Sequence, residues 1–197
     1  MSREGTARLF VAIDPPQELC AELTAWARLV ADLYAQSAHG SRMRVLARDS
    51  LYLTLCFLGS RPGEEIEPLA EAVSECVAPV GELELGAPLL LPPRRSRALA
   101  VEIRDPSDDL ARLQGQVVRA VSRVSSWEPT ERHGFRAHVT VARMSGDSRR
   151  QPALGPLPAT PQLSFRAKRI CLYRSWLDPA GARYEELSGV ELPQPPC

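Results

Sequence analysis

The chain has 197 residues, 44% of them hydrophobic and 24% charged, with 24 basic residues balanced by 24 acidic ones. That length suffices for one substantial core, and no apolar run approaches the roughly 18 residues of a membrane span. The even charge argues against a protein that wraps long nucleic acid through a basic surplus, and leaves room for a short end gripped locally.

Arg8 to Ile13 reads as a buried strand, and Asp14-Pro15-Pro16 as a helix start. The helix that follows carries Leu19, Leu23, Trp26, Val30 and Leu33 as one apolar stripe. His39-Gly40-Ser41 reads as the loop that ends it. Met43 to Leu46 and Leu51 to Leu58 are strand-like, with Gly59 closing the second. A second helix from about Glu64 places Ile66, Leu69, Val73 and Val77 on one side. Glu82 to Leu91 and Arg97 to Ile103 pair around Pro92-Pro93, and a third helix after Asp105-Pro106-Ser107 aligns Leu110, Leu113, Val117, Val121 and Val124. Phe135 to Arg143 is a further strand, Met144 to Pro161 a surface loop, and Leu163 to Arg174 and Ala182 to Leu187 the last strands. This alternation predicts an α+β fold: a single bilobal domain over 1–197, with two antiparallel-rich sheets flanked by helices around a central cleft.

The N-terminus, Met1 to Arg8, lacks the basic-then-apolar pattern of a secretory signal, so a cytoplasmic protein is expected. Cys20, Cys56, Cys76, Cys171 and Cys197 are scattered, and none forms a CxxC pair. They read as reduced thiols rather than a disulfide framework or a zinc site, and no metal is expected. Cys56 follows Tyr52 and Thr54 at strand spacing, which puts all three on one face.

One near-repeat carries the chemistry. Tyr52-Leu53-Thr54-Leu55 and His138-Val139-Thr140-Val141 lie 86 residues apart, and each alternates a polar side chain with an aliphatic one. Alternate residues of a strand share a face. Two such strands side by side aim four polar groups at one spot, a geometry suited to a phosphate held by two hydroxyls with an acid and a base beside it. Arg136 shares the His138 face and is a candidate phosphate contact. His133, five residues before His138, reads either as a solvated loop histidine or as one that swings into the cleft as a proton donor, and Phe10 and Tyr173 are candidates to stack on a base, with buried packing the reading favoured for Phe10.

Arg8-Leu9-Phe10-Val11-Ala12-Ile13-Asp14, Leu53-Thr54-Leu55 with Phe57-Leu58-Gly59, and His138-Val139-Thr140-Val141-Ala142-Arg143 occur in that order, followed by Leu172-Tyr173-Arg174-Ser175, Gly181, Tyr184 and Glu185. Together these blocks resemble the bacterial RNA 2′,3′-cyclic phosphodiesterases, the 2′-5′ RNA ligase family of the two-histidine phosphoesterase superfamily. The resemblance implies hydrolysis of RNA 2′,3′-cyclic phosphate ends to 2′-phosphates without metal or cofactor. The partner is then an RNA 3′ end or a small cyclic nucleotide, with no membrane and no protein partner. It makes His138 the proton acceptor, Thr54 and Thr140 phosphate contacts, and Tyr52 the occupant of the family's proton-donating histidine position. A tyrosine holds its proton at neutral pH but is a weak acid, so the alternative is a catalytically silent protein that binds nucleotides or RNA ends.

Overall fold

The computed structural model describes residues 5–37, 42–93, 96–129, 134–145, 156–178 and 181–194. Within them the chain runs β1 (Thr6–Ile13), α1 (Gln17–Ser37), β2 (Arg42–Val45), β3 (Leu53–Pro62), α2 (Ile66–Ser74), β4 (Glu82–Leu91), β5 (Ala98–Arg104), α3 (Asp109–Val124), β6 (His138–Ser145), β7 (Ser164–Arg166), β8 (Arg169–Asp178) and β9 (Gly181–Glu191). No described helix is long and apolar enough to cross a membrane.

The apolar stripes explain the helices, with small departures at their ends. Leu19, Leu23, Trp26 and Val30 of α1 are buried as expected, but Leu33 is 47% exposed and Tyr34 is buried instead. Val77 and Val124, the last residues of their stripes, are also exposed, because Val77 lies past the end of α2 and Val124 is the final residue of α3. Gly59 does not close β3. It takes a left-handed φ of 69° that glycine tolerates, and the strand continues to Pro62.

The expected pair of sheets is a single nine-stranded sheet, ordered β7-β4-β5-β6-β3-β1-β8-β9, with β2 also paired to β6. Every pairing among the described strands is antiparallel. The halves join because Leu53 of β3 pairs with Val139 of β6. Both residues are fully buried in one core cluster that also holds Leu23, Val73, Leu113 and Val117 from the three helices. One core under both halves leaves no apolar surface between them to divide.

The junction is narrow. β5 occupies one edge of β6, while β2 takes the other edge from Ala142 to Ser145. The β3 contact at Leu53 follows, and then the strands part. Beyond it two β3 carbonyls are met by side chains: the Gln114 amide donates to the Leu55 oxygen (3.4 Å), and the Trp127 indole N–H donates to that of Phe57 (3.0 Å). Leu53→Ala is expected to lower the unfolding free energy by about 2–5 kcal/mol, the usual cost of a large-to-small change in a closed core. Urea denaturation checks this; a loss below about 1 kcal/mol would show that the junction does not support the sheet.

Candidate functional site

Burial alternates cleanly along both motif segments: Leu53, Leu55, Val139 and Val141 are buried, and Tyr52, Thr54, His138 and Thr140 are half-buried. Carried one step either way, the Leu53–Val139 register sets Thr54 across from His138 and Tyr52 across from Thr140. The four polar residues therefore share the sheet face that looks away from the core. Thr54 is flanked by Ala12 of β1, and Thr140 by Ala100 of β5, small neighbours that leave space beside each hydroxyl.

His138 is oriented by its own backbone. Its Nδ1 lies 2.8 Å from the Arg136 carbonyl oxygen. A carbonyl only accepts, so Nδ1 carries the proton of that hydrogen bond, and Nε2 of the neutral ring is the acceptor. Arg136 is 55% exposed and pairs with Glu102 at 3.1 Å, and Glu102 is the β5 partner of His138 in the register. Its charge is thus partly balanced before any anion arrives. His133 lies outside the described residues, as do His39, Gly40, Ser41, Arg149 and Arg150.

Tyr52 has a different setting. Its ring packs against Phe10 (5.5 Å between centroids), Tyr173 (4.7 Å) and Tyr184 (5.1 Å). Its hydroxyl donates to the Asp49 carbonyl oxygen at 3.0 Å. Burial, and then the nearby Asp14 carboxylate, push the phenol well above the ordinary tyrosine value near 10. Tyr173 is raised for the same reasons, its hydroxyl donating to Asp14 at 2.6 Å. Phe10 and Tyr173 are themselves closed off, at 4% and 6% exposure, so they back Tyr52 rather than offer an open stacking surface.

Cys56 does not follow the parity expected of it. A register shift between Val11 and Ala12 sets Ala12 opposite Thr54 and Val11 opposite Cys56, which carries Cys56 into the main core cluster. Below the aromatic group, Asp14, Cys171 and Glu186 bring their ligand atoms within 4.8 Å of one another. Arg169 already spans Glu186 (2.7 Å), Glu191 (3.2 Å) and Asp14 (3.9 Å). Burial and Asp14 push the Cys171 thiol up to about 12, so it keeps its proton. A guanidinium thus supplies the positive charge these carboxylates need.

A cavity of about 310 Å³ opens where β3 and β6 part. Its lining includes Thr54, Arg136 and His138, Gln114, Gly115 and Val118 of α3, and Trp127 and Phe135. Tyr52 and Thr140 are not among its lining residues. The α3 lining has no counterpart among the residues singled out from the sequence, because α3 is legible there only through its apolar stripe. Gly115, a helix-interior glycine beside that stripe, is the one signal in the sequence.

The sequence profile of the 2′-5′ RNA ligase superfamily matches residues 15–178. The chain belongs to that superfamily. Escherichia coli LigT, crystallised with 3′-AMP, is 25% identical, aligned over 96% of this chain and 99% of its own, with a TM-score of 0.78. LigT crystallised with ATP is 26% identical over 96% and 99%, with a TM-score of 0.75. The Thermus thermophilus protein TT0787 shares the fold at 23% identity over 94% and 97%, with a TM-score of 0.70. No curated protein matches the chain. The superfamily assignment makes this a LigT-like phosphoesterase relative, and agrees with the blocks of sequence from Leu53, His138 and Leu172 onward that carry the resemblance.

The raised tyrosines carry a pH dependence. Above the ordinary value near 10 the unfolded chain releases phenolic protons that folded Tyr52 and Tyr173 retain. The unfolded state then binds fewer protons, so stability falls as pH rises. The urea midpoint is expected to drop between about pH 9 and 11, and to drop less in a Tyr52→Phe, Tyr173→Phe double variant. Equal losses in both proteins would place the alkaline transition on other groups.

Proposed function

We propose that the protein opens 2′,3′-cyclic phosphates, at RNA 3′ ends or on small cyclic nucleotides, to leave 2′-phosphates, and that it does so slowly. In this reading Thr54 and Thr140 hold the phosphate and His138 takes a proton from the attacking water. The new P–O bond forms as the bond from phosphorus to the ribose 3′ oxygen breaks, and that oxygen takes up a proton. The observation that carries the reading is the Nδ1 hydrogen bond of His138 to the Arg136 carbonyl. It leaves Nε2 as acceptor on a ring that lines the same cavity as Thr54. Arg136, partly neutralised by Glu102, contributes at the rim. The 3′-AMP and ATP complexes of LigT support a nucleotide ligand for the same fold.

Tyr52 is not the proton donor in this reading. Its hydroxyl is committed to Asp49, and its proton is held more tightly than that of an ordinary tyrosine. The leaving oxygen is then protonated by solvent, which costs about 10²–10⁴-fold relative to a positioned acid. The same commitment of Tyr52 favours a second reading, in which the cleft binds a nucleotide phosphate or an RNA end without turning it over.

Hydrolysis of an RNA oligonucleotide ending in a 2′,3′-cyclic phosphate separates these. Slow wild-type turnover is expected, reduced about 10²-fold or more in His138→Ala, within about twofold of wild type in Tyr52→Phe, and raised about 10²-fold in Tyr52→His. A silent wild type revived by Tyr52→His supports the binding protein. Activity lost in Tyr52→Phe would return the donor's role to the phenol, and activity unchanged in His138→Ala would remove His138 as the base.

A further inference from the structure

Glu102 belongs to the site without lining its cavity. It is the β5 residue paired with His138, and its carboxylate holds the guanidinium of Arg136, which does line that cavity. The seat of the carboxylate is built from the next strand. A β-carbon added at Gly86 of β4 would lie 2.9 Å from Glu102 Oε2 and 3.0 Å from its Cβ, so a larger residue there would crowd the glutamate. The Gly86 carbonyl in turn accepts a 2.6 Å hydrogen bond from the hydroxyl of Thr160, which is buried. Oε2 thus lies over the glycine, and Oε1 meets Arg136 at 3.1 Å. The side chains of Arg136 and Glu102 are 55% and 29% exposed. An ion pair so open to solvent is weakly held, and another anion can compete for the arginine.

Hydrolysis changes the charge that this arginine meets. A 2′,3′-cyclic phosphate is a diester with one negative charge. Adding water and breaking the bond to the 3′ oxygen leaves a monoester whose second proton is lost near pH 6, so the product carries about two charges at pH 8. Coulomb energy scales with the charge of the ligand, and an unopposed cation at the rim therefore favours product over substrate.

We propose that Glu102 sets the charge preference of the site: by opposing Arg136 it keeps the cleft from retaining the dianionic monoester that the reaction makes. Arg136 contacts the phosphate in this scheme, and Glu102 acts only through Arg136. The inference rests on the phosphate-binding reading above and adds to it a residue that discriminates product from substrate.

Glu102→Gln keeps the shape of the side chain and removes its charge, and an unchanged urea midpoint checks that the sheet is intact. Calorimetric titration at about pH 8 with adenosine 2′-monophosphate, and with adenosine 2′,3′-cyclic monophosphate on a time short against its turnover, reads the two charge states. In Glu102→Gln the cyclic nucleotide is expected to bind about threefold more tightly and the monoester about ninefold, the square of that factor, because the charge is doubled. In an Arg136→Gln background the same change is expected to leave both within about twofold. Equal gains for the two ligands, or no gain for either, would overturn the charge preference while leaving the phosphate site standing. A full gain that persists without Arg136 would overturn the route through that residue. Failure of wild type and Glu102→Gln to bind either nucleotide would overturn the phosphate reading and this inference with it.

Discussion

The structure turns on a single residue pair. Leu53 and Val139 bring the two halves of the sheet together once, both fully buried, and the strands separate immediately afterwards. That contact brings two residues 86 positions apart in sequence into register, and places the polar residues on either side of each on the same face. It also makes the cavity, because a sheet that continued to pair would close the space between Thr54 and His138. Loss of backbone pairing beyond the junction is offset by side chains: Gln114 and Trp127 donate to carbonyls that β6 does not reach. Such compensation is what buried backbone groups require.

The two motif segments are alike in pattern and unlike in use. His138 is held by the hydrogen bond between its Nδ1 and the Arg136 carbonyl, which leaves its Nε2 out of that bond. Tyr52 is held by ring contacts to three aromatic residues and a hydrogen bond that uses its hydroxyl. Aromatic pairs of this kind add about 0.5–1.5 kcal/mol each beyond the area they bury. The aromatic side chain at position 52 therefore adds cohesion to the segment that carries it. Packing and chemistry compete for the position, and on this side of the cleft packing is favoured by the surroundings.

Much of this was legible in the sequence because it depends on local periodicity. The helix stripes, the polar alternation at 52–55 and 138–141 and the α+β class all follow from residues three, four or two apart. The number of sheets was not legible, since it depends on one long-range pair whose members look like any other strand aliphatics. Cys56 was misplaced for a related reason: strict alternation holds only until a bulge, and the register shift beside Ala12 reverses it. Glu102 as the partner of Arg136, and the α3 side of the cavity, needed the β5–β6 pairing and the path of a helix, neither of which leaves a pattern in the chain.

That helix path bears on how the site keeps its shape. α1 follows β1 but packs near β2 and β6, while α3 follows β5 and packs near β3. Each half of the sheet therefore rests on a helix that a strand of the other half leads into. Opening the junction like a hinge would pull α3 from β3 and expose Leu113 and Val117, both at 0% exposure. Burial on that scale holds closely packed elements in place more firmly than one strand contact can. The width of the cavity is consequently set by the side chains that line it. Gly115, where a helix would ordinarily favour almost any other residue, is the position at which the fold gives up helical propensity and gains space.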